Sequence, residues 1–171
     1  MKCNELFTRP SINAGLGERQ VNTLLSGLNI PPVSHCMMSA RQKDVGVALQ
    51  EVAKETVDQA LCEEVELTKR NKDQDSITAD VDEGWQMRGS GRSYNSLSGH
   101  CSMIGTETGK IVNYAVRIKS CRVCSLAEKS KSSPPVHECH MNWSGSAKSM
   151  EADMVTEMVK DVGKRVLVLA Q

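Results

Sequence analysis

The chain has 171 residues, 39% hydrophobic and only 3% aromatic, and its 21 Lys/Arg balance its 21 Asp/Glu. That length allows one ordinary domain, or a domain with an appendage, whose core must come from Val, Leu, Ile and Met; so thin a core would gain from a metal staple. The balanced charge excludes a chain that binds nucleic acid by net charge alone, and no stretch approaches the roughly 20 apolar residues of a membrane helix.

Residues 1–10 read as a loose tail, without the apolar segment of a secretory signal. Val21, Leu24, Leu25 and Leu28 follow at i, i+3, i+4 and i+7, one face of a helix over 17–28 that Gly27 and Pro31-Pro32 end. A longer helix is expected from Ser39, its cap, to about Lys69, with Val45, Leu49, Val52, Ala53, Ala60 and Leu61 as its apolar stripe. The polar run at 69–76 reads as a linker, so 1–76 form a helical arm and 77–171 a second unit.

From Ile77 the period changes to two. Strands are expected over 77–86, 94–104 and 110–119, with Gly109 in the turn between the last two. In the third, Val112, Tyr114, Val116 and Ile118 share one face, and Asn113, Ala115 and Arg117 the other. The Ser-, Lys- and Pro-rich run at 125–135 reads as a loop. A helix over 146–162 carries Met150, Met154, Val155, Met158 and Val162 inward, and Gly163 ends it. Val166–Leu169 is all apolar and reads as a buried fourth strand, parallel to the first and reached by a right-handed crossover. The resulting order is βββαβ, an α+β or α/β mixed sheet.

Seven cysteines without a secretory signal imply a reducing setting, nuclear or cytoplasmic, where clustered Cys and His point to metal more than to disulfides. Cys121-x-x-Cys124 is followed, after a twelve-residue loop, by His137-x-Cys139. Two such pairs can converge on one tetrahedral Zn²⁺, and four protein ligands make a closed, structural site. His140 rivals His137 as the fourth ligand. Cys3, Cys36, Cys62 and Cys101 have no partner at ligand spacing, and Cys62 and Cys101 read as small buried residues.

Asp82 ends the first strand, with Asp80 on the same face and Glu83 beside it. Two-metal phosphodiester cleavage needs carboxylates from several elements, and acids at one strand end more often only punctuate it. Arg88-Gly-Ser-Gly-Arg92 can wrap a phosphate or form a plain turn. Between Gly84 and Ser132 Lys/Arg outnumber acids: Arg88, Arg92, Lys110, Arg117, Lys119, Arg122, Lys129 and Lys131 face only Glu107 and Glu128. Trp85 and Trp143 read as core anchors. Ser146 can cap the helix that follows, and Glu151 suits the positive end of its dipole.

Asp82-x-Gly-Trp-Gln-x-Arg-Gly, with SGRSYNSLSGH after it, resembles the opening strand and hairpin of Mutator-like transposase domains. Thr108-Gly109-Lys110, the Cys121/Cys124 pair, and His137, Cys139, Asn142, Gly145, Ser146, Met150 and Glu151 match the same pattern, over about residues 15–170. The resemblance implies a ribonuclease H-like core with a zinc insertion at about 120–145. It implies Asp82 as the first catalytic acid, Mg²⁺ in an intact site, and DNA as a partner through Arg88, Arg92 and Lys110. Where the family has paired serines this chain has Ser146-Ala147, and it stops where a second catalytic Asp is expected. The expectation is therefore a truncated, transposase-derived fragment, inactive alone and at most a weak DNA binder. The alternative is a zinc-stabilised interaction module that meets a protein partner or a second copy through the helix at 39–69.

Overall fold

The computed structural model describes residues 10–86 and 96–169. The chain divides into two compact units, one up to Thr56 and one from Val57.

In the first unit, helix α1 (Glu18–Gly27) begins where the Gln20 side chain accepts the Gly17 N–H at 2.7 Å. Val21 and Leu25 are buried with Val33 and Met38, whereas Leu24 and Leu28 are exposed. The buried stripe of α1 is thus narrower than the apolar stripe in its sequence. Asn22 pairs both polar groups of its amide with the backbone of Val33, at 2.8 and 3.0 Å, and holds the Pro31-Pro32 segment against α1.

Helix α2 (His35–Lys72) is longer than the sequence implies. Ser39 is not its cap; the Ser34 hydroxyl accepts the Met37 N–H at 3.3 Å and starts the helix one turn earlier. Of the expected stripe, Ala60 and Leu61 are buried with Val65, while Leu49 and Val52 are 54% and 59% exposed. Past Lys69 the helix runs on to Lys72 and stops at Asp73, whose φ of 53° is left-handed.

In the second unit, strands β1 (Ala79–Trp85), β2 (Ser98–Gly105) and β3 (Ile111–Ile118) form one antiparallel sheet in the order β1-β2-β3. Glu83 pairs with Cys101, Asp82 with Ser102, and Cys101 with Ala115. A register shift at Met103/Ile104 leaves Val112 as an extra residue, buried in the core. Asn113, Ala115 and Arg117 face the helix that covers the sheet; Tyr114 and Val116 stand on the open face.

Helix α3 (Arg122–Lys129) replaces much of the expected loop. Helix α4 (Ala147–Leu169) covers the sheet, capped by Ser146, whose hydroxyl accepts the Ser149 N–H at 3.1 Å. The expected fourth strand does not form. Val166–Leu169 is the last turn of α4, so the described sheet is antiparallel, not mixed, and the order βββαβ gives way to βββαα. The cause is the i+4 spacing: Met150, Met154, Met158, Val162 and Val166 are all buried on one stripe, and Val166 reaches the core only if the helix continues. Gly163 does not stop it, since its φ is not left-handed.

The core joins this stripe to Ala60, Leu61 and Val65 of α2 and to Cys101, Met103, Val112 and Ala115 of the sheet. Four methionines fill the space that aromatic rings would occupy in a richer sequence. Trp85 and Trp143 pack at its margin, as core anchors. The β2–β3 turn is held from α2: the buried Glu64 carboxylate accepts the Glu107 and Thr108 N–H groups at 2.9 and 2.8 Å and the Thr108 hydroxyl at 2.7 Å. Lys72 and Asn71 bind the Glu107 carboxylate at 2.8 and 2.9 Å and keep it below the usual carboxylate range.

Candidate functional site

The clearest chemical cluster in the described residues is thiol and imidazole. Cys121 stands at the N-cap of α3 and Cys124 in its first turn, the distance at which two side chains meet on one side of a helix start. His137 and Cys139 come back to them from the segment that follows α3. The His137 Nε2 lies 3.2 Å from the Cys121 sulfur and 3.4 Å from that of Cys124, and the Cys124 and Cys139 sulfurs are 3.7 Å apart. All four ligand atoms fall within 4.8 Å of one another.

These separations suit a tetrahedral metal. Zn–S bonds near 2.3 Å and a Zn–N bond near 2.0 Å put sulfurs about 3.8 Å apart and sulfur about 3.6 Å from nitrogen. The His137 Nδ1 lies 2.8 Å from the Pro135 carbonyl oxygen, which accepts the Nδ1–H and in the neutral ring leaves the Nε2 lone pair for a metal. Between the two rival histidines the geometry chooses His137; His140 lies instead 3.7 Å from Glu138.

Electrostatics within the cluster favour a Cys121 thiolate beside a protonated His137, with Cys124 kept as a neutral thiol. Backbone N–H groups of Cys124 and Val123 and the imidazole of His137 lower the Cys121 thiol to about 6. The Pro135 carbonyl and the Cys121 sulfur raise His137 to about 9. Partial desolvation and the two neighbouring sulfurs push Cys124 up to about 11. A divalent ion would reverse the shifts of His137 and Cys124, because a coordinating imidazole and a coordinating thiol both give up their protons.

The return of the insertion is fixed by Asn142, a residue with no role assigned from the sequence beyond its match to a pattern. Its side chain accepts the Ile118 N–H at 2.7 Å and donates to the Val116 carbonyl at 2.9 Å. The Asn142 and Trp143 N–H groups both reach the Ile118 carbonyl, at 3.0 and 3.2 Å. Gly145 lies under the Trp143 indole, whose ring is 2.7 Å from where a Cβ on Gly145 would stand. The Cys/His cluster is thereby tied at both ends, to the end of β3 and to the start of α4.

The acids divide between the two faces of β1. Asp80 and Asp82 are exposed on the open face, opposite Ile104 and Ser102. Among the described residues Asp82 joins no group of three metal-ligating side chains. Glu83 points to the other face, beside buried Cys101, where its side chain meets that of Glu151 from α4. Partial burial, with the charges of Glu151 and Asp82, raises the Glu83 carboxyl above its ordinary range. The same carboxylates and, above all, burial raise the Cys101 thiol. This Glu83–Glu151 meeting was not read from the sequence, although strand alternation already separates Glu83 from Asp82.

Of the expected DNA contacts, Arg88 and Arg92 lie outside the described residues. Lys110 pairs with Glu63 at 2.6 Å. Arg117 is only 12% exposed and binds Asp153 at 2.6 Å as well as Glu157. Cys101 is buried as expected, but Cys62 is exposed on α2, one position off the inward stripe of Leu61 and Val65. Among the described residues no helix is long and apolar enough to cross a membrane.

Compared with known families, the chain matches the model of the Mutator-like transposase family over residues 1–170. No curated protein and no solved structure matches the chain.

Proposed function

As the chain belongs to the Mutator-like transposase family, we propose that it is a transposase-derived unit that binds DNA weakly, carries one structural Zn²⁺, and does not cleave DNA by itself. The family match over 1–170 carries this reading. The antiparallel β1-β2-β3 sheet covered by α4 supports a ribonuclease H-like core, with the Cys/His insertion between β3 and α4. The zinc is assigned to Cys121, Cys124, His137 and Cys139. Four protein ligands leave no open position, so the metal holds the insertion and activates no water.

Asp82 is the residue at the family's first catalytic position, and Mg²⁺ would be its metal in an intact site. It stands on one strand with Asp80, and two metals need ligands from more than one element. The test is a nicking assay on supercoiled plasmid with Mg²⁺ or Mn²⁺. No metal-dependent nicking is expected; nicking that Asp82→Ala abolishes would overturn the reading.

A second reading has its own observation. Val47, Leu49 and Val52 of α2 are all more than half exposed, a surface that suits a protein partner. Salt-sensitive retardation of duplex DNA in a gel favours the first reading; its absence favours the second.

A further inference from the structure

The insertion does more than bind metal: its short helix displays a face that the ligands do not use. Arg122, Ser125, Leu126 and Lys129 fall at i, i+3, i+4 and i+7 of α3 and form one stripe. Cys124 and buried Ala127 occupy the opposite side. Arg122 and Lys129 are exposed, and Leu126 between them is 56% exposed.

Lys131 follows the helix end and is exposed, at a conformational cost. Its φ of 51° is left-handed, and it closes α3 with its own N–H on the Glu128 carbonyl at 3.1 Å and the Ser132 N–H on that of Ala127 at 2.9 Å. The equivalent position after α1 holds Asn29, and the residue directly after α2 is Asp73; their short polar side chains tolerate this region. Lysine has no such side-chain compensation; the two helix-closing hydrogen bonds hold it there, and the residue is exposed just past the helix end.

Charge points the same way. Lys110 and Arg117 are taken up by Glu63, Asp153 and Glu157. Arg122, Lys129 and Lys131 have no acidic partner among the described residues. Glu128, the one acid of α3, projects about 120° round the helix from Arg122, given 100° per residue. An α-helix with its side chains is about 10–12 Å across, close to the width of the DNA major groove.

We propose that this face of α3 is a docking surface for double-stranded DNA, with Arg122, Lys129 and Lys131 on phosphates and Leu126 between them at the groove wall. The metal then acts as the fixture that presents the helix. This rests on the reading of the chain as a DNA binder and names the surface responsible.

The test measures the anisotropy of a short fluorescein-labelled duplex across a salt series. It compares the wild type with the triple variant Arg122→Ala, Lys129→Ala, Lys131→Gly, with zinc content recorded for each. The triple variant is expected to keep its zinc, to bind at least about tenfold more weakly near 0.1 M salt, and to lose about 3 from the slope of log K against log salt. Lys131→Gly alone is the safeguard against misfolding: it relieves the left-handed strain, so it should raise the thermal midpoint and still weaken binding. A wild type that binds no duplex overturns both readings. A wild type that binds, with unchanged affinity and slope in either variant, overturns this surface alone. Stronger capture of single-stranded RNA than of duplex, lost in the triple variant, overturns the assignment of duplex DNA as the partner.

Discussion

The carboxylate of Glu64 lies where a side chain at Gly105 would begin: a Cβ added to Gly105 would stand 2.3 Å from Oε2 of Glu64. The glycine and the buried acid are one device. The glycine leaves room for the carboxylate, and the carboxylate satisfies the turn that the glycine leads into.

Gly105→Ala is therefore expected to lower stability by about 1–3 kcal/mol, since neither the backbone nor the carboxylate has space to yield. Glu64→Gln keeps the shape but turns an amide donor toward a backbone N–H or the Thr108 hydroxyl, and should cost about 2 kcal/mol. Urea unfolding midpoints check both. A Gly105→Ala protein as stable as the wild type would show that the turn is not clamped.

Purified protein is expected to carry about one zinc per chain. Cys124→Ser should abolish that content and lower the thermal midpoint by several degrees; His140→Ala should change neither. Retention of zinc in Cys124→Ser, or its loss in His140→Ala, would contradict the ligand set. Chelator should reproduce the Cys124→Ser phenotype.

Glu83 supplies a pH signature. Its carboxyl is raised from 4.5, first by burial and then by Glu151 and Asp82. The folded state thus holds that proton more tightly than the unfolded chain, so stability falls as pH rises from 4.5 through the raised value. Glu83→Gln is expected to remove this penalty and to stabilise the protein at pH 7 by about a few tenths of a kcal/mol, a small effect for so exposed a group. The gain should vanish near pH 4 in paired thermal melts. Equal differences at both pH values would rule out the mechanism.

The last turn of α4 is open to a simple contrast. Val166 is buried and Leu167 is exposed. Val166→Ala is expected to cost about 1–2 kcal/mol, and Leu167→Ala within about 0.5 kcal/mol of nothing. Reversal of that order would restore the strand reading of this segment.

Much of the framework was legible. The i, i+3, i+4 spacing in α1 and α2 and the alternation in β3 are strong local signals, and the paired Cys/His spacing named four side chains that the fold brings together. Val166–Leu169 was misread because a run of Val and Leu suits either state; only its phase with Met150 through Val162 decides. Helix α3 hid in a Ser/Lys-rich run because eight residues give little more than two turns of periodicity, too few to stand out. Glu64 could not be seen at all: within a helix full of acids, nothing marks the one that turns inward to meet a hairpin more than 40 residues away. The Glu83–Glu151 pairing depends likewise on which face of β1 the helix covers.

The contact between α4 and the sheet is built largely of thioethers, with Met150, Met154 and Met158 each at most 1% exposed. Peroxide reaches such sulfurs only when the helix lifts from the sheet, and each sulfoxide then formed is too polar to be packed back. In hydrogen peroxide these three methionines should therefore act as a clock: their rate of oxidation counts the openings of the fold, and the first one recorded makes the next opening easier.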